Sequence, residues 1–282
     1  MRLIFLTCAT MIAFAANSVL TRMAIDGNHI DASGFALVRV LSGAIVLGMI
    51  MSLRGGSLPL LRRNRLPGAI SLAVYMIGFS LAYMTLDAGL GALILFGVVQ
   101  ITMFSHGALR GAAPNQRQLT GAAVGFAGLL LALWPGPGGL ADPVGALLMV
   151  SAGLGWAAYT IVGRRSADPL AATSANFLLC LPLLLILLPG SSLSFSATGL
   201  ALGVLCGGVT SGLGYALWYS VLPRLSQSTA AVVQLSVPVI AILAGSLVLG
   251  EPLGITIVIS AALVVGGIGW AVSARSPQAG HS

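Results

Sequence analysis

The sequence predicts an all-α integral membrane protein of about ten transmembrane helices, arranged as two inverted five-helix repeats. Three observations predict it. The 282-residue chain is 57% hydrophobic and 7% charged, with mean hydropathy +1.03, too few charges to cover the surface of a water-soluble domain of this length. Apolar runs of about 20 residues, the length that crosses a bilayer as helix, recur throughout. One of them, 226–252 (SQSTAAVVQLSVPVIAILAGSLVLGEP), has a fainter copy at 87–114. Setting Ala92 on Ala231 carries Leu95 onto Gln234, Val99 onto Pro238, Thr102 onto Ala241, His106 onto Gly245 and Gly111 onto Gly250.

The first run follows Arg2 and continues to about Ile25. Ala13-Phe14-Ala15 resembles a signal-peptidase site, but the run extends past it and has an internal counterpart, so a retained helix is expected. A polar loop with Asp26, His29 and Asp31 leads into helix two, 34–53, and then into the most basic loop, Arg54, Arg62, Arg63 and Arg65. Helix three covers 67–86; Asp87 precedes helix four; Arg110 and Arg117 precede helix five, which ends at Trp134 and a PGPGG turn. The second half repeats the rhythm: helix six over 144–162, helix seven over 170–188 with Pro182 inside, helix eight over 199–222, then helices nine and ten before Arg275. Residues 1–139 and 140–274 are the two expected repeats, and 275–282 an unstructured cytoplasmic tail.

Every basic side chain is an arginine, and the loops alternate in charge. Arg2, the loop after helix two, Arg110, Arg117, Arg164, Arg165, Arg224 and Arg275 share one side; Arg22 stands on the other with Asp26, Asp31, Asp87, Asp142 and Glu251. The positive-inside rule puts both termini in the cytoplasm and reads the +7 net charge as a topology signal, with no nucleic-acid partner. Phe14-Ala15-Ala16-Asn17 before Arg22 lines up with Trp156-Ala157-Ala158-Tyr159 before Arg164. Five helices per repeat is an odd number, so the second copy inserts upside down. Such a pair encloses a midplane site, and rocking one half against the other gives alternating access.

GWAAYTIVGRR at 155–165 and VPVIAILAGSLVLGEPLG at 237–254 resemble the paired EamA-type repeats of the drug/metabolite transporter superfamily, over nearly the whole chain. That resemblance implies an exporter of amino acids or other small metabolites in a bacterial inner membrane. The first half departs from the pattern: Val99 stands where the repeat carries proline, and LRGAAP replaces the acidic LGEP.

Candidate substrate-binding residues come from helix faces. Gln227, Ala230, Ala231, Gln234, Pro238, Ala241 and Gly245 share one face of helix nine; Ala88, Gly91, Ala92, Leu95, Val99, Thr102 and His106 share the corresponding face of helix four. Small residues there serve close helix packing as well as a cavity; Pro238 frees a carbonyl or only kinks the helix. Tyr75, Phe79 and Tyr83 form one aromatic stripe and Tyr215, Trp218 and Tyr219 another, suited to a flat or apolar substrate or to core filling. Asn17, Trp156 and Tyr159 complete the walls. Arg39, placed in the outer part of helix two, is a candidate counter-charge for a substrate carboxylate or a side chain snorkelling to the surface.

No aspartate or glutamate lies mid-span, so a carboxylate-based proton antiport, and with it a proton-coupled drug exporter, lacks its usual group; His106, toward the cytoplasmic end of helix four, is the one histidine within a span and suits a structural hydrogen bond at least as well as a transport role. Facilitated export by a non-enzyme without metal or cofactor is the expectation, its partners a small-molecule substrate and the lipid bilayer. A lipid flippase of the same fold is the rival. Cys8, Cys180 and Cys206 are expected to face lipid or core.

Overall fold

A computed structural model describes residues 1–56, 58, 60, 65–110, 115–133, 142–163, 166–187, 191, 193–225 and 233–272. They are helical apart from loops and one isolated β-bridge, Ile30 to Phe195. In chain order the helices are α1 (Arg2–Asp26), α2 (Ala32–Leu53), α3 (Leu66–Ala82), α4 (Ala88–Leu109), α5 (Gln116–Leu133), α6 (Pro143–Gly163), α7 (Pro169–Leu184), α8 (Ala197–Val221), α9 (Ser236–Leu249) and α10 (Ile255–Val272). By length and composition α1, α2, α4, α6, α7 and α8 can each cross a membrane; α3, α9 and α10 are apolar but shorter. Arg62, Arg63, Arg164, Arg165, Gln227, Ala230, Ala231, the PGPGG turn and the tail 275–282 lie outside the described residues.

Local chemistry sets the helix ends. Asp31, Asp142, Asp168 and Ser196 each accept a first-turn backbone N–H, at Gly34, Gly145, Leu170 and Gly199 among others, and so start α2, α6, α7 and α8. Helix three stops earlier than its apolar run: the N–H groups of Met84, Thr85 and Leu86 fold back onto Leu81 and Ala82, and Arg22 Nη1 donates to Tyr83 O at 3.1 Å. Pro182 cannot donate within α7, and the α-form gives way two residues later to a 3₁₀ turn, Leu185–Leu187. Pro238 falls in the first turn of the α-helical part of α9, where a missing N–H costs no helical bond. Within α8, Leu205–Leu213 (LCGGVTSGL) adopts π geometry, which the run of apolar and small residues did not announce.

The bundle closes on small residues. α3 packs on α6, α4 on α6, α2 on both α7 and α8, α1 on α8 and α9, and α5 on α10. In lipid, helices associate mainly through dispersion and backbone approach, so the α5–α10 contact is made where side chains vanish. A Cβ on Gly267 would sit 2.6 Å from Gly125 N and 2.7 Å from Gly121 O, whereas one on Gly266 would meet nothing within 4 Å. Arg117 also stacks over Trp270, 4.0 Å from its centroid. Thermal unfolding in detergent is therefore expected to show Gly267→Leu destabilised by about 1–3 kcal/mol and Gly266→Leu close to wild type.

Candidate functional site

Where α1, α2, α3, α6 and α8 converge, the bundle holds a charge. Arg39 is 0% exposed. Its Nε donates to Ser211 Oγ at 3.0 Å, and its Nη2 donates to Asn17 Oδ1 at 3.2 Å and Tyr75 Oη at 2.9 Å. The guanidinium carbon lies 4.7 Å from the Phe79 ring centroid and 5.4 Å from that of Tyr75, within cation–π range. Snorkelling is thus overturned: the side chain turns inward, where Asn17, Tyr75 and Ser211 solvate it.

Asn17 is the hub of that solvation. Its Oδ1 also accepts from Thr210 Oγ1 at 2.7 Å, Ser211 Oγ at 3.0 Å and Cys206 Sγ at 3.3 Å, while its Nδ2 donates to Ala13 O. The π turn explains how two consecutive residues reach one oxygen. In an α-helix Thr210 and Ser211 would diverge by ~100° about the axis; widening the turn narrows that angle. Gly207 admits the arrangement, since a Cβ there would collide with Ser42 Oγ and Arg39 O.

Around this polar centre run the aromatic residues. A ladder of ring contacts passes from Tyr83 to Phe79 (4.8 Å between centroids), Tyr75 (5.3 Å), Trp156 (5.0 Å) and Tyr159 (5.6 Å). Tyr215 joins it through Trp156 at 5.1 Å, and Phe14 lies edge-on to Trp156, Tyr215 and Trp218. Trp156 therefore connects the two expected stripes. Tyr83 and Tyr159 mark the two ends of the ladder: Tyr83 Oη donates to Ala88 O at 3.4 Å, and Tyr159 Oη donates to Thr173 Oγ1 at 2.9 Å. Tyr219, half-buried, approaches Gly163 near the latter end.

The structure thus brings together Asn17, Arg39, Tyr75, Phe79, Trp156, Tyr159, Tyr215 and Trp218. It places others apart. Leu95 is buried where α4 meets α6, with its carbonyl against Gly153. Thr102 and His106 lie toward the C-terminal end of α4, where exposure rises. Gln234 and Pro238 are buried at the start of α9, which packs on α1 and α4. Sequence reasoning missed Thr210, Ser211, the role of Cys206, and Phe177, whose ring meets Tyr215 edge-on at 5.7 Å. The available signal was the Thr-Ser pair inside an apolar span, polar groups that need partners in lipid. Cys180 and Cys206 are buried and Cys8 is exposed.

One end of the bundle is tied by charge. Arg22 Nη2 pairs with Asp26 at 3.1 Å and approaches Asp87 at 3.7 Å. Asp87 stands at the N-cap of α4, yet its side chain makes no cap bond; Glu251, from the loop after α9, accepts from Ala88 N at 2.6 Å and Gly89 N at 3.2 Å instead. The acidic residue of the GEP turn is therefore the N-cap of a helix in the other half.

Several helices long and apolar enough to span a bilayer, packed around a buried polar and aromatic centre, define a multi-pass membrane protein. The sequence model of the EamA-like transporter family matches residues 143–273. Over 287 residues the chain is 44% identical to the uncharacterized protein PA1977 of Pseudomonas aeruginosa, covering 99% of this chain and 97% of that one. A solved structure, described only as the crystal structure of a protein, superposes with a TM-score of 0.64 at 19% identity over 94% of this chain and 97% of its own, a likeness of fold. The chain belongs to the EamA-like transporter family, a family of membrane transporters.

Burial holds the Glu251 carboxyl above its ordinary value of 4.5, outweighing the two N–H bonds from Ala88 and Gly89. A folded-state pKa above the unfolded one means stability is lost as pH rises from about 4.5 through the raised value. Wild type is expected to lose thermal stability across that window and Glu251→Gln to lack the step. Glu251→Ala, which removes the cap, is expected to cost about 0.5–2 kcal/mol, read from melting curves against pH.

Proposed function

We propose that the protein exports small metabolites across the bacterial inner membrane by alternating access, with amino acids, aromatic or hydrophobic ones above all, as the first substrates to test. The observation that carries this reading is the buried centre itself: a hydrogen-bonded cation and amide walled by aromatic rings from α1, α3, α6 and α8. Packed cores in lipid have little use for such groups, and polar side chains within spans mark substrate paths. Asn17, Tyr75, Phe79, Trp156, Tyr159, Tyr215 and Trp218 form its binding walls in this reading. Tyr83 guards one end, and Leu95, Thr102, His106, Gln234 and Pro238 lie on the helices that move.

Helix pairing supports the inverted ten-helix repeat. Exchanging the halves turns α3 on α6 into α8 on α1, and α4 on α6 into α9 on α1, while α2 with α7 and α5 with α10 map onto themselves; all of these pairs occur. Charge placement supports cytoplasmic termini: Asp26, Asp31, Asp87, Asp142 and Glu251 gather at one end through Arg22, Thr85, the Ile30–Phe195 bridge and the α4 cap. All six carboxylates sit at helix ends, which favours facilitated over carboxylate-coupled transport.

Proteoliposomes loaded with labelled amino acids and given no ion gradient are expected to release a subset saturably. Release that occurs only under a pH gradient would sink the facilitative reading, and none under any gradient would sink the amino-acid reading. Gln234→Ala and Tyr83→Ala are each expected to slow efflux several-fold with normal membrane expression; unchanged efflux in both would move the site to another helix face.

A further inference from the structure

The central site leaves buried polar atoms of Arg39, Trp156 and Tyr215 without partners among the described residues. Nη1 of Arg39 is buried with no hydrogen-bond partner among the described residues, although Nε and Nη2 have theirs. The indole Nε1 of Trp156, whose ring lies tilted against Tyr75 at 5.0 Å between centroids, is equally unpartnered among them. Both are donors only. Nearby, Asn17 Oδ1 is the acceptor shared by Arg39, Ser211 and Cys206, and the single Thr210 hydroxyl proton divides between it and Cys206 O at 2.8 Å.

Counter-charge is missing as well. The chain has six acidic residues. Asp26 and Asp87 pair with Arg22; Asp31, Asp142 and Asp168 cap α2, α6 and α7; Glu251 caps α4. None reaches Arg39. A buried cation without an anion is costly, and cation–π contact with two rings offsets only part of that cost. A zwitterionic substrate would answer the charge but bring an ammonium group, with three further donors, into a site already crowded with donors.

We infer that the site takes a net-anionic carboxylate with a flat apolar tail, its carboxylate on Arg39 Nη1 and its tail among Trp156, Tyr215, Phe14 and Trp218, in preference to the α-amino acid of the same skeleton. This rests on the transporter reading above, keeps its small metabolites, and puts carboxylates without an ammonium group ahead of amino acids as the favoured class. Arg39 is then the specificity-determining residue.

Calorimetry on the protein in nanodiscs, with 3-phenylpropanoate, 3-phenylpropanamide, phenylalanine and phenethylamine as probes, tests it. The acid is expected to bind roughly tenfold or more tightly than its neutral amide, as a charge-assisted contact requires, and more tightly than phenylalanine; phenethylamine is expected not to bind. Arg39→Gln should erase the acid-over-amide preference and Arg39→Lys retain part of it. The wild-type series decides even if Arg39→Gln fails to fold. Equal binding of acid and amide, tighter binding of phenylalanine, a preference that survives in Arg39→Gln, or binding to none of the four overturns the inference. Chloride binding as tightly as the acid, with nothing gained from the tail, overturns it too by making this an inorganic anion site. Saturable amino-acid efflux in any of those cases leaves the transporter reading standing.

Discussion

The burial of Arg39 is the constraint on which the centre of this protein depends. A guanidinium in the interior of a membrane protein has to be solvated by the protein itself. Three helices besides its own contribute: Asn17 from α1, Tyr75 from α3 and Ser211 from α8. The requirement propagates. Ser211 and Thr210 reach Asn17 from a segment where α8 widens into a π-helix, and α8 approaches α2 at Gly207, where a side chain would collide with Ser42 and the Arg39 carbonyl. A helix irregularity, a glycine contact and an asparagine rotamer are thus consequences of one charge.

The aromatic residues follow from the same centre. Tyr75 serves Arg39 twice, as a hydroxyl acceptor and as a ring face, and Phe79 offers a second face. Trp156 then packs on Tyr75, carrying the contact from α3 to α6, and Tyr215 carries it on to α8. Ring stacking of this kind orients side chains over several turns without using hydrogen bonds, so the polar groups stay free to serve the charge.

Charge also organises the ends, by a different rule. Acidic side chains are spent on helix N-termini, where unpaired backbone N–H groups favour an anion. Three of these acidic caps, Asp31, Asp142 and Asp168, are local, within three residues of their helix. The fourth is not: Glu251 crosses from the turn after α9 to the start of α4, leaving Asp87 to Arg22. That exchange ties α1, α4 and the α9–α10 turn together at one end of the bundle.

What the sequence by itself determined is the class: apolar run length, charge alternation and local caps depend on neighbours in the chain, so helices, their order and the membrane setting were legible from them. The aromatic stripes at Tyr75, Phe79 and Tyr215 were legible for the same reason, since helical spacing alone puts residues on a face. What only the tertiary structure decided is which way a side chain turns and what meets it. Arg39 stayed open between a counter-charge and a snorkelling side chain because its depth along α2 says nothing about the direction of its guanidinium. The Thr210–Ser211 convergence on Asn17 and the Glu251 cap each join residues more than 150 positions apart, and no local period encodes them. Such contacts exist only once packing has brought the helices together, so the sequence could name Arg39 as a candidate counter-charge but not the side chains that solvate it.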